Sequence, residues 1–227
     1  MISWRLNTYL KGERILKEKI KIRVVNEEDA GALLEIQQEV LSEEDYLITT
    51  IDEFQRTIDE QREWIQEKLA NERETIFIAQ YQGKIVGWLV FQSPQRKRLA
   101  HTGTFGMMVL NEYRGLGIGK LLIEKLLEWA EHNPYIEKIS LGVFSTNERA
   151  IALYKKMGFV EEGRKIKEIK LHDNEYIDDV LTSFSRSLPL LSDEVNAGLS
   201  YFSAGVQTSA EIEELSLRTP RPVATTE

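Results

Sequence analysis

The chain has 227 residues, 42% of them hydrophobic and 29% charged, with a formal net charge of −8 and no cysteine. That length and balance suit one globular domain with an appendage, large enough to bury a useful core. The composition excludes disulfides, thiolate metal sites and a cysteine nucleophile, and its acidic excess gives no overall attraction for nucleic acid or an anionic membrane.

Residues 1–18 are mixed and weakly amphipathic and read as an N-terminal extension. They lack the continuous apolar core of a secretory signal. No stretch of the chain approaches the roughly 18 apolar residues of a membrane span, so a cytoplasmic protein is expected. "KIKIRVV" (Lys19–Val25) alternates charged and apolar residues, which predicts a strand. "NEEDAGALLEIQQEVL" follows with Asn26 as a cap and Ala30, Leu33, Leu34, Ile36 and Val40 at helical spacing. A second amphipathic helix is expected from Thr50, with Phe54, Ile58, Ile65 and Leu69 near one face. "TIFIAQY" and "KIVGWLVFQS" read as strands joined at Gln82-Gly83, and "LAHTGTFGMMVL" as a third, carrying Gly103 and Gly106.

The stretch "NEYRGLGIGKLLIEKLLEWAEH" then crowds Gly115, Gly117 and Gly119 onto a helix start, and its helix stops before Pro134. "IEKISLGVF" is a short strand. "NERAIALYKKMGF" is a helix with Asn147 as N-cap and Gly158 at its end. Two final strands flank "HDNE" as a closing hairpin. The order β-α-α-β-β-β-α-β-α-β-β predicts a mixed α/β fold of the α+β type with a largely antiparallel sheet flanked by helices. The domain is expected over 19–188. Residues 189–227, rich in Ser, Thr and Glu and without a strong period, are expected to be a largely disordered tail.

Free N–H groups at a helix start, with the helix dipole behind them, bind phosphate, and glycines let a diphosphate come close. Arg114 and Lys120 can add charge. Two nucleotide templates fail here. A P-loop needs Gly where Arg114 stands and Ser or Thr where Leu121 stands. A dinucleotide fingerprint started at Gly115 needs Gly at Lys120. What fits is R-x-x-G-x-G, from Arg114 to Gly119. Three scattered histidines (His101, His132, His172) form no zinc-type spacing, so no metal is expected.

"VLNEYRGLGIGKLL" resembles the acyl-coenzyme A binding motif of the GNAT N-acetyltransferase superfamily, and "NERAIALYKKMGF" resembles that superfamily's second signature. The resemblance covers about Lys19 to Leu188. It implies acetyl-CoA as cosubstrate and a strand that splays from its neighbour, so that the pantetheine arm pairs with Met107, Met108 and Val109. It implies a pyrophosphate cradle made by Arg114, Gly115, Leu116, Gly117, Ile118, Gly119 and Lys120. Asn147 aligns with an asparagine that contacts the coenzyme arm; helix capping is its alternative role. Tyr154 aligns with a tyrosine near the thioester sulfur, where a phenol can protonate the departing thiolate. Its alternative is a core aromatic beside Ile151, Leu153 and Phe159.

The implied reaction is direct attack of an amine on the acetyl carbonyl in a ternary complex, with a backbone N–H near Met107 or Met108 for the oxyanion. The base is unassigned. In relatives that acetylate protein N-termini a glutamate can serve from the strand before the second signature, but here Gly142 stands at that place. His101 and the group Glu39, Glu43, Glu44 and Asp45 are further candidates, each with a plain surface role as its alternative. The expected acceptor is a small-molecule amine: an amino acid, polyamine or amine antibiotic. The alternatives are a protein N-terminus or lysine, or a non-catalytic acyl-CoA-binding module. The resemblance also makes a homodimer an expectation.

Overall fold

The computed structural model describes residues 19–44 and 46–186. The expected extension and tail, and Asp45, lie outside the described residues. Seven strands form one sheet: β1 (Ile20–Val24), β2 (Thr75–Tyr81), β3 (Lys84–Gln92), β4 (Thr102–Val109), β5 (Lys138–Phe144), β6 (Val160–His172) and β7 (Glu175–Ser185). The order across the sheet is β1-β2-β3-β4-β5-β7-β6. Every neighbouring pair is antiparallel except β4 and β5. Among the described residues four α-helices accompany the sheet: α1 (Ala30–Leu41), α2 (Ile58–Ala70), α3 (Ile118–His132) and α4 (Glu148–Lys156). The element order and the mixed, largely antiparallel sheet are those expected from the sequence. Among the described residues no helix is long and apolar enough to cross a membrane.

Both faces of the sheet are covered, and this explains its composition. On one face Phe77, Leu89, Phe105, Leu141 and Val180 pack with Leu122 and Leu126 of α3. On the other, Ile76, Ile78, Trp88 and Val90 pack with Leu33 and Ile36 of α1 and Ile65 of α2. Strands β2 and β3 are thus buried on both sides, and they read as nearly continuous apolar runs. Strand β6, at the sheet edge, is mostly exposed and studded with charge, the composition that discourages pairing with another chain.

The second helix starts later than the sequence suggests. A capping box at Thr57 sets the start: Thr57 Oγ1 accepts from the Glu60 N–H (3.2 Å), and Glu60 Oε2 accepts from the Thr57 N–H (2.7 Å). Residues 51–53 form a turn and 54–57 are irregular, so Phe54 is not helical. Of the expected stripe only Ile65 is buried. Ile58 and Leu69 are exposed, and Gln61 and Trp64 take the inward positions. The first helix is likewise preceded by a single 3-10 turn, Glu27–Asp29. There the Asp29 carboxylate accepts from the Asn26 N–H (2.8 Å) and from both terminal nitrogens of Arg23 (2.7 and 2.8 Å).

Candidate active site

Strands β4 and β5 pair over only three residue pairs, Thr102↔Lys138, Gly103↔Ile139 and Thr104↔Ser140. Beyond them β4 stays joined to β3 as far as Val109, and β5 stays joined to β7 as far as Phe144. The two strands therefore diverge within one sheet. The resulting cleft, about 790 Å³, is lined by Phe105–Val109 on one side, Leu141–Phe144 on the other, and the starts of α3 and α4 at its end.

The β3–β4 register determines which backbone groups face the gap. The Leu110 N–H donates to the Val86 carbonyl at 3.0 Å, and Leu110 and Val86 continue the register that pairs Met108 with Trp88 and Gly106 with Val90. In an antiparallel ladder the bonded pairs alternate. Met108 and Gly106 therefore spend their N–H and C=O groups on β3, whereas Met107 and Val109 turn theirs toward β5, beyond the last β4–β5 pair, Thr104↔Ser140. The Val109 carbonyl is already engaged, accepting from Arg114 Nε at 2.9 Å. Both polar groups of Met107 and the N–H of Val109 are what the gap exposes. Met108 differs from its neighbours: its backbone is committed to Trp88, and its side chain packs on the α1–α2 face.

The glycine-rich turn alternates in function. Gly115 (φ +85°) and Gly117 (φ +83°) hold left-handed backbone that side chains disfavour, and both line the cleft. Leu116 and Ile118, between and after them, pack into the core on the α3 face. Glycines face out and apolar residues face in, which pins the turn while leaving its outer surface bare. A Cβ on Gly117 would meet nothing within 4 Å, so open space lies directly above it. Gly119 has a different reason. It is helical, and a Cβ there would come within 3.1 Å of Met107 Cε, so it lets α3 approach β4. The first intrahelical bond runs from the Leu121 N–H to the Gly117 carbonyl (3.1 Å), so the N–H groups of Ile118, Gly119 and Lys120 have no partner within the helix.

Three cations line this end. Arg114, expected to supply free charge, is tied to Glu43 through Nη1 at 2.6 Å and to Val109 through Nε. Lys120 reaches Glu124 at 3.4 Å. Arg149, which the sequence reading did not single out, has its Nη2 3.6 Å from the Cβ position of Gly115 and lines the cleft. Its signal was present: it sits two residues beyond the α4 cap, so the helix start faces it toward the glycine turn.

Asn147 and Tyr154 lie on the same wall. The Asn147 Oδ1 accepts from the Ala150 N–H at 3.1 Å and caps α4. Its amide nitrogen is a second, separate polar group, so capping and contact with a ligand do not compete. Tyr154 is 7% exposed, with its ring edge-on to Phe105 (5.8 Å between centroids, 80°) and tilted against Phe159. Burial pushes its phenol up to about 12. It is thus a core aromatic and a cleft-lining hydroxyl at once, and it stays protonated at any working pH.

The α1 side of the cleft is built from side chains. Val40, Glu43, Tyr46 and Leu47 line it from the end of α1 and the loop beyond. Of the acidic group, Glu43 reaches the cleft, while Glu39 and Glu44 are exposed. His101 is exposed, and its carbonyl accepts from the Glu137 and Lys138 N–H groups (2.8 and 3.2 Å), at the closed end of β4. Six residues separate it from Met107, about 20 Å of strand, so it does not belong to the cleft. Gly142 brings bare backbone to it. Among the described residues no group of three or more His, Asp or Glu residues is placed to hold a metal.

The arrangement agrees with what the chain resembles. The profile of the "Acetyltransferase (GNAT) family" matches residues 37–159. The SPbeta prophage-derived uncharacterized N-acetyltransferase YokL of Bacillus subtilis (strain 168) is 28% identical over 171 residues, covering 74% of this chain and 91% of that protein. The L-amino acid N-acetyltransferase AaaT of Escherichia coli (strain K12) is 35% identical over 101 residues, 44% of this chain and 62% of its own length. Among solved structures, the acetyltransferase of GNAT family from Streptococcus pneumoniae superposes with a TM-score of 0.71 at 28% identity, over 73% of this chain and 99% of that one. The yncA protein from Salmonella typhimurium, solved with its cofactor acetyl-CoA, shares the fold with a TM-score of 0.67 at 16% identity, over 77% of this chain and 98% of that one.

Proposed function

The chain belongs to the acetyltransferase (GNAT) family and is an N-acetyltransferase; from that premise we propose that its domain, residues 19–188, transfers the acetyl group of acetyl-CoA to a primary amine of a small molecule by direct attack within a ternary complex. The observation that carries this reading is the divergence of β4 from β5. It leaves the Met107 backbone groups and the Val109 N–H unpaired beside a glycine-lined helix start, at the spacing of one extended chain. A pantetheine arm supplies amides that can pair there as an added strand. The diphosphate then meets the bare turn at Gly115 and Gly117, the free N–H groups of α3 and the cations Arg149 and Lys120.

With the thioester at Met107, the Met107 N–H faces the acetyl oxygen and stabilises the oxyanion that forms. Met108, the other candidate, has its N–H turned to Trp88. Tyr154 donates to the departing sulfur. A free thiol has an ordinary pKa of about 8.5, well below the phenol's value of about 12. The natural role of Tyr154 is therefore to hold and stabilise the developing thiolate by hydrogen bonding while it keeps its own proton. The Asn147 amide contacts the arm.

The small-amine reading is supported by the likeness to an L-amino acid N-acetyltransferase, and by Glu43, which brings a carboxylate to the cleft beside Tyr46 and Leu47. The test is a competition panel. Amino acids, polyamines and amine antibiotics are offered against peptides with free N-termini and lysines, with N-acetyl products identified by mass spectrometry. Acetylation of a free small amine at least about 10-fold faster, about 1.4 kcal/mol in the barrier, is expected. Preference for the peptides would replace the acceptor assignment.

A further inference from the structure

The cleft-lining Gly142 has a carboxylate laid across it from another strand. On β5, Leu141 and Val143 pack on the α3 face, so position 142 faces the α1–α2 side, where the acceptor end lies. A Cβ at this glycine would collide with Asp179 of β7: its Oδ2 is 3.0 Å away, its Cγ is 3.1 Å away, and its Oδ1 is closer still. Asp179 is not the residue opposite Gly142. It pairs with Phe144, and Leu181 pairs with Gly142. The aspartate therefore leans diagonally along the sheet, past its own partner, to cover the one bare position on β5.

That carboxylate is buried, with 12% of its side chain open, and it is poorly satisfied. Its polar neighbour is Lys165 Nζ on β6, 3.7 Å from Oδ2, which is longer than a hydrogen bond, and Lys165 is shared with Glu168 at 3.2 Å. Buried carboxylates normally accept several hydrogen bonds. This one is left with accepting capacity toward the exposed backbone of Gly142, which lines the cleft.

We propose that Asp179 accepts the proton of the incoming ammonium, and that position 142 is glycine because this carboxylate reaches the cleft across it. An alkyl amine arrives as R–NH3+. One proton passes from nitrogen to an Asp179 oxygen and on to solvent. The nitrogen lone pair attacks the acetyl carbon, the C–N bond forms, and the carbonyl π pair moves to oxygen. On collapse the C–S bond breaks and its electrons leave with sulfur. A second proton from nitrogen ends on that sulfur, which Tyr154 holds. The products are the amide, free coenzyme A and one proton released. Lys165, 3.7 Å from Asp179 Oδ2, orients the carboxylate as a positioning residue.

The inference rests on the proposed amine acetylation, and the test separates the two. The substitutions are Asp179→Asn, Asp179→Ala, and Asp179→Ala combined with Gly142→Glu, which returns a carboxylate to the site from β5. Each is assayed for acetyl-CoA affinity by calorimetry, and for turnover of the best alkyl amine and of a weakly basic aromatic amine that is already uncharged at neutral pH. The expected result for Asp179→Asn is a loss of about 100-fold in kcat on the alkyl amine, the usual scale for a proton acceptor, with acetyl-CoA affinity unchanged and a much smaller loss on the aromatic amine. The double variant should recover about 10-fold over Asp179→Ala, about 1.4 kcal/mol in the barrier. Near wild-type turnover by Asp179→Asn, equal losses on both amines, or failure of the double variant to recover activity would each overturn the inference. A wild-type protein inactive on every amine would overturn the acetylation reading itself, and the role of Asp179 with it.

Discussion

The coenzyme end and the acceptor end of the cleft use different materials. At the coenzyme end the contacts are backbone: the unpaired groups of Met107 and Val109, the left-handed turn at Gly115 and Gly117, and the free N–H groups at the start of α3. At the acceptor end they are side chains drawn from a distant segment, Glu43, Tyr46 and Leu47 after α1, together with Gly142, over which Asp179 of β7 lies. A backbone site restricts which residues can occupy it, because only glycine combines positive φ with a bare surface. A side-chain site leaves the scaffold free and can be rebuilt for another acceptor without disturbing coenzyme binding. The two ends meet at one ion pair, Arg114 with Glu43 at 2.6 Å, which ties the turn to the acceptor loop.

The difference predicts a hierarchy of effects. Gly117→Asp should be the most damaging, since it places a carboxylate and a disfavoured φ against the diphosphate. Acetyl-CoA binding should fall by at least about 100-fold, which is about 2.7 kcal/mol, while the thermal midpoint falls by only a few degrees: a side chain at φ +83° costs about 1–2 kcal/mol, and nothing lies within 4 Å of the new Cβ. Calorimetry and a melting curve check both parts, and retained affinity would break the backbone account of that end. Tyr154→Phe comes next. It keeps the aromatic packing with Phe105 and Phe159 but removes the donor, so kcat should drop by about 10- to 100-fold with acetyl-CoA affinity intact. A parallel fall in affinity would mean that the hydroxyl serves binding instead.

The smallest effects should fall on the cations, and they sharpen the contrast. Arg149→Ala should weaken acetyl-CoA by about 5-fold, on the scale of one exposed charge, and less in high salt. Glu43→Gln should leave coenzyme affinity near wild type while raising the amine KM several-fold, because the change lies on the acceptor side of the ion pair. If Glu43→Gln weakens acetyl-CoA more than Arg149→Ala does, the two ends are not separable.

Legibility in the sequence follows the same division. The glycine turn announced itself through Arg114 to Lys120, and the α4 signature through Asn147 and Tyr154, because backbone geometry and caps restrict residue type locally. The splay of β4 was implied by the resemblance, but its consequences were not visible. Only the register shows that Met107 faces the gap while Met108 is spent on Trp88. The engagement of Arg114 depends on Glu43, which the fold brings from the far end of α1. The contact of Asp179 with Gly142 depends on β7 inserting between β5 and β6, a crossover that no local pattern encodes. The start of α2 was missed for a local reason. Apolar spacing continues back to Phe54, but the Thr57–Glu60 capping box ends the helix there.

The central claim is that this cleft performs amine-dependent acetyl transfer, beyond holding the coenzyme. The most direct measurement is the rate of free-thiol release from acetyl-CoA with and without each amine of a small-molecule panel. The account predicts release that rises with amine concentration, saturates, and matches the N-acetyl product formed mole for mole. Tight acetyl-CoA binding with no amine-dependent thiol release would contradict it and would leave a coenzyme-binding module in place of the enzyme.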